Sequence, residues 1–182
     1  EPPIIPPNPI SFSTESFIQG TSSKPIDILF VVDNSPSMAD KQRKMGQRIQ
    51  SFISKVKNVD WKIGITTTDV SNGDHGLKGE LVTFKDSHKK HLDKNSLDFK
   101  TKFLKTVQRD ESDCFLLDCP SSDEQPLRAA ILAMQKHSGA NSHFFRPGAD
   151  LALVILSDED EMSSGPVEAT TAEEVLSVFN ST

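Results

Sequence analysis

The stretch IDILFVVDNSPSM, residues 26–38, sets a nearly unbroken apolar run against an abrupt polar one. The run IDILFVV lies between Pro25 and the polar cluster that follows Val32, and it is short enough for a strand. A continuous apolar run of this length reads as a central parallel strand covered on both faces. It ends in one carboxylate and two hydroxyls, Asp33, Ser35 and Ser37, on alternate residues.

Working outward, residues 38–57 carry Met45, Ile49, Phe52, Ile53 and Val56 at the spacing of a helix with one buried stripe. WKIGITTT (61–68) is predicted as a second strand and GELVTF (79–84) as a third, paired as a long-looped antiparallel hairpin around the turn residues of SNGDHG. A weaker helical pattern runs from Leu97 to Val107. A clear one places Leu127, Ala130, Ile131 and Met134 at i, i+3, i+4 and i+7. LALVILS (151–157) is the second candidate for a buried central strand. Thr171 with Glu174 three residues later resembles a capping box opening a last helix through Phe179. Strands alternating with helices predict an open α/β sheet with helices on both faces.

Composition narrows the function. The chain of 182 residues carries a net charge of −6 and 35% hydrophobic residues, as in a soluble globular domain. The acidic balance and scattered cations argue against a nucleic-acid surface, so Lys89-Lys90-His91 reads as a solvated loop. No apolar run reaches the roughly 18 residues a membrane span needs. EPPIIPPNP at the beginning is a polyproline-like spacer, which divides the chain into a Pro-rich segment, 1–25, and a domain, 26–182. CFLLDC (114–119) lacks the further Cys or His a zinc site would need. A local disulfide between Cys114 and Cys119 is the favoured reading, free thiols the other; a disulfide implies an oxidising compartment.

Both apolar strands end in acid, Val32 running into Asp33 and Ser157 into Asp158–Glu161. In open parallel sheets, ligands bind at the carboxyl ends of the strands. Carboxylates converging there need a cation or a proton to offset their repulsion. Carboxylate and hydroxyl oxygens without His or Cys suit a hard divalent ion, Mg²⁺ first, with Mn²⁺ or Ca²⁺ as alternatives.

DILFVVDNSPSM resembles the D-x-S-x-S signature of the von Willebrand factor type A (VWA) domain, whose metal-ion-dependent adhesion site follows the first strand. LALVILSDED resembles that family's later strand ending in a metal-site Asp, and the likeness spans residues 26–180. IGITTTD and NSHFFRPGADLALVILSDEDE are similar to exported bacterial members. The resemblance implies a three-layer α/β/α, doubly wound, mostly parallel sheet. It also implies a metal site of Asp33, Ser35, Ser37 and Asp158, and a non-enzymatic role in which the bound ion accepts a carboxylate from a partner protein. The family's intermediate-loop Thr is missing; counting back from the helix at Leu127, CPSSDEQPL offers Ser121, then Asp123. Glu159 stands where many members have Gly. The resemblance further implies an extracytoplasmic bacterial setting, at the cell surface, in the periplasm or secreted, with any membrane anchor lying beyond the N-terminal end of the chain.

Rival readings exist for each part. Asp33 and the serines could simply cap the next helix. Glu159, Asp160 and Glu161 read individually as a solvated loop, Asp69 as the end of a strand, the five histidines as surface residues, and Phe144-Phe145 as packing under a loop. At the level of function, the alternatives are a metal-dependent phosphoesterase and a metal-free structural homologue. The resemblance also implies a sheet of about six strands, so residues 159–182 leave the last strands unaccounted for. The open sheet edge is then expected to be covered by ISFSTESFI (10–18) or to drive self-association.

Overall fold

The structure, a computed structural model, describes residues 24–56, 58–113, 119–121, 124–161 and 169–181. Strand β1, Ile26–Val32, pairs in parallel with β2, Trp61–Thr67, on one side and with β4, Asp150–Leu156, on the other. A two-residue strand β3, Leu92–Asp93, adds to β2 antiparallel, giving the order β3-β2-β1-β4. The class is mixed α/β, as the alternation of patterns predicts. Val32 lies level with Thr67 and with Leu156, so three strands finish at one end of the sheet.

Successive β1 side chains point to opposite faces and meet different helices. Ile28, Phe30 and Val32 join a cluster with Ile49 and Ile53 of helix α1 (Ala39–Val56) and Phe103 and Val107 of helix α2 (Phe99–Val107). Leu29 and Val31 pack instead with Ala129, Ala130 and Ala133 of helix α3 (Pro126–Gln135) and with Phe144. That two-sided burial explains why the β1 sequence is continuously apolar. Phe144 therefore packs under its loop, as expected.

Helix α4, Ala172–Ser181, lies against α3. Its capping box is formed in both directions: Glu174 accepts the Thr171 N–H at 2.8 Å, and the Thr171 hydroxyl accepts the Glu174 N–H at 3.2 Å. Among the described residues, no helix is long and apolar enough to cross a membrane.

Two expectations are corrected. Residues 79–84 form no strand, and the antiparallel partner of β2 is β3. The reason is the buried Asn141 amide, whose oxygen accepts the Leu81 N–H at 3.0 Å while its nitrogen donates to the carbonyls of Gly79 and Ala133. The Val82 N–H still reaches the Ile65 carbonyl of β2 at 2.8 Å, but the Leu81 N–H and the Gly79 carbonyl, which a continued ladder would have used, are satisfied by that side chain. Gly79, at φ +77°, lies so close to α3 that a Cβ would stand 2.3 Å from the Ala133 nitrogen. The second correction concerns β4, which is half-buried rather than a buried central strand, with Ile155 41% exposed. Among the described residues it pairs with β1 alone. The expected cover for its free edge, residues 10–18, lies outside the described residues, as does most of the Pro-rich segment.

Opposite the strand C-termini, Arg146 clamps the entry to β1 and β2. Its backbone N–H and Nε each donate to the buried Asp27 carboxylate at 2.7 Å, and its guanidinium also reaches Asp60 and the Ile26 carbonyl.

Candidate functional site

Asp33 directly follows β1 and is fully buried. Its N–H extends the pairing to the Leu156 carbonyl at 2.9 Å. One carboxylate oxygen accepts the Ser35 N–H at 2.8 Å, and the other accepts the Ser157 hydroxyl at 3.0 Å. The loop backbone behind it is fixed by Gln42 of α1, whose amide donates to the Asp33 carbonyl and to Ser112, while Ser112 donates to the Asn34 carbonyl. A carboxylate held from several directions loses little entropy when it acts.

Ser35 sits at the N-cap of the single 3-10 turn Pro36–Met38, yet its hydroxyl makes no capping bond. It meets the Ser37 hydroxyl at 3.0 Å, and Ser37 donates to Asp158 Oδ1 at 3.1 Å. The rival view of Ser35 as a plain helix cap therefore loses its main support. Lys41, one helical turn beyond Ser37, donates to Asp158 Oδ2, and this ammonium holds the Asp158 carboxyl below its ordinary range. Asp33, Ser35, Ser37 and Asp158 thus form one connected group at the sheet end.

The intermediate loop brings in a residue the sequence reading passed over. Asp33, Glu124 and Asp158 each offer a carboxylate oxygen, and these oxygens all lie within 4.8 Å of one another. Glu124 is only 3% exposed, and its Oε2 has no hydrogen-bond partner among the described residues. Asp69 positions this loop: the backbones of Asp69 and Glu124 form a bridge, Asp69 accepts the Ser121 N–H at 2.9 Å, and the Gln125 N–H reaches the Thr68 carbonyl. Ser121 donates its backbone N–H to Asp69, which places it beside Glu124 on this loop; Asp123 lies outside the described residues. Asp69 is therefore buried structure behind the site. The buried hydroxyls of Thr67 and Thr68, at the end of β2, also lack partners among the described residues.

Of the acidic run, Glu159 and Asp160 are exposed, as read from the sequence. Glu161 departs from that reading: its two carboxylate oxygens accept the N–H groups of Leu127 and Arg128 at 2.7 and 3.1 Å. There it caps the positive end of α3 and ties the loop after β4 to the loop before that helix. The Cys114–Cys119 pairing falls on Cys114, which lies outside the described residues.

The electrostatics are set by crowding of like charge. Burial, and then the neighbouring Asp33 carboxylate, push the Glu124 carboxyl from 4.5 up to about 8. A carboxyl raised in this way takes up a proton on folding between those two values, so the stability present below pH 4.5 is lost as pH rises through about 8. In a chelator, denaturation midpoints are expected to fall from about pH 5 to about pH 8.5, and Glu124→Gln is expected to flatten that slope. An unchanged slope in the variant would remove Glu124 as its source.

These oxygens fit a hard cation: the donors are carboxylates and hydroxyls, and one buried acceptor lacks a donor. No family model, no curated protein and no solved structure matches the chain.

Proposed function

We propose that the chain is a VWA-type, divalent-cation-dependent protein-binding module that performs no chemistry of its own. The observation that carries this reading is the buried Glu124 Oε2, unpartnered among the described residues, beside the carboxylates of Asp33 and Asp158. Asp33, Ser35, Ser37, Glu124 and Asp158 would hold the ion, Mg²⁺ in the first instance with Mn²⁺ or Ca²⁺ as alternatives. Bound there, the ion supplies a positive centre for an acid group of a partner protein, a charge-assisted contact stronger than a neutral one. The finer fold that goes with this reading is the three-layer, doubly wound VWA arrangement, supported by apolar clusters on both faces of β1. An exported bacterial protein remains the setting it implies, with self-association through the β4 edge, unpaired among the described residues, as an accompanying expectation.

Glu124 in place of the family's Thr changes the charge balance. Three carboxylates against a divalent ion leave one net negative charge. The ion is thereby held more tightly than by a neutral hydroxyl, and the incoming acid less tightly.

Lys41 gives the phosphoesterase reading its one supporting observation, since a cation clamp near the ion belongs to that chemistry. Calorimetric titration with Mg²⁺ and Mn²⁺, alongside a phosphate-ester turnover assay, separates the two. Binding of both ions with no turnover is the expected result. Metal-dependent turnover would establish the enzyme, and failure of either ion to bind would leave a metal-free structural domain.

A further inference from the structure

Asp158 is the most exposed of the three converging carboxylates, and both of its oxygens are engaged by the segment that leads from the 3-10 turn into α1. Ser37 holds Oδ1 through a neutral hydroxyl, and Lys41, four residues later, holds Oδ2 through its ammonium. A hydroxyl can turn its lone pairs toward a metal without cost in charge. An ammonium cannot: it has only donors, and it repels any second cation at the same carboxylate.

We infer that Lys41 is a built-in competitor for the cation, which lowers the site's affinity by occupying Asp158, and that it sets the ion concentration at which the module becomes able to bind. This inference rests on the cation-site reading above and adds its regulation. Lys41 is suited to such a role because its side chain is 46% exposed and has open solvent to move into when it leaves. Its pair with Asp158 is an exposed one, of the kind that contributes little to the fold, so replacing it changes the site more than the domain. Lys44 provides the comparison, as a cation on the same helix that pairs with Asp40 and, among the described residues, has no ion pair with Asp33, Glu124 or Asp158.

The test is titration of Mg²⁺ into the unsubstituted chain and into Lys41→Met, Lys41→Arg and Lys44→Met, each checked for folding by circular dichroism. Lys41→Met is expected to bind Mg²⁺ about tenfold more tightly, from removal of both the competing contact and the repulsion. Lys41→Arg keeps the charge and is expected to stay within about twofold of the unsubstituted chain, as is Lys44→Met. If Lys41→Met gains nothing, the competition is overturned while the cation site stands. Equal gains in Lys41→Met and Lys44→Met would also overturn it, because net charge alone would then explain them. Absence of Mg²⁺ binding in all four chains would remove the site, and this inference with it.

Discussion

Asp33→Asn is expected to weaken Mg²⁺ binding by at least about a hundredfold, or ~2.7 kcal/mol, while leaving the fold intact. Asp33 is the best-positioned donor of the group: it is fully buried, and its carboxylate is fixed by the Ser35 N–H and the Ser157 hydroxyl. The amide of Asn keeps an oxygen for the Ser35 N–H, so the turn retains its bond and only the charge is lost. Removing that charge also relieves Glu124, whose high value owes its second-largest contribution to Asp33. In a chelator near pH 8 the variant is therefore expected to equal or exceed the unsubstituted chain in stability. Lower affinity with retained or higher stability is a combination that a merely structural Asp33 would not give. Calorimetry and chemical denaturation on the same preparation check both halves.

Arg146→Met is expected to produce the largest loss of stability, about 3–5 kcal/mol, or roughly 10 °C in the thermal midpoint of a chain this size. The guanidinium faces a carboxylate whose side chain is 3% exposed, and it also binds the Ile26 and Asp60 carbonyls where two strands begin. Breaking such a pair strands a charge in the interior. Burial already raises the Asp27 carboxyl above its usual range, and Arg146 is the main influence pulling it back. Without Arg146 it rises further, so the variant is expected to lose least at acid pH and progressively more as pH climbs through the new value. Adding Asp27→Asn to Arg146→Met should recover part of the loss at neutral pH. Thermal melts from about pH 4 to pH 8 follow this; a loss under about 1 kcal/mol, equal at all pH values, would mean that the clamp does not hold the strand starts together.

What the sequence discloses about this molecule divides by range. The strand β1 and the polar turn after it are legible because the pattern is local: six apolar residues around one buried Asp, then an alternating carboxylate and two hydroxyls. The capping box at Thr171 and Glu174 is legible for the same reason. Glu124 is not, because nothing adjacent to it marks it out. Its place depends on Asp69 at the end of β2, which holds the loop through the Ser121 N–H and a bridge to Glu124 itself. A count back from Leu127 leads past it to Ser121 and Asp123, the small polar residues that the VWA resemblance favours. Glu161 hides in the same way, since an acidic run looks solvated until a helix N-terminus 33–34 residues earlier is brought beneath it.

Burial is equally non-local. The β4 run is as apolar as β1, but apolarity does not say what lies on each side, and β4 is half-buried where β1 is enclosed. Residues 79–84 look like a strand by propensity and keep one bond to β2 through Val82, but no local signal shows that the Asn141 amide, 60 residues from Leu81, takes the Leu81 N–H. Propensity describes what a segment can do; the partners available to its backbone decide what it does.

Crystals soaked in Mn²⁺ and measured at its absorption edge test the cation site most directly. The expected result is one anomalous peak ringed by oxygens of Asp33, Ser35, Ser37, Glu124 and Asp158, at about 2.1–2.4 Å where contact is direct and one water further where it is not. A peak elsewhere, or none at saturating Mn²⁺, would contradict a metal-dependent binding site at this end of the sheet.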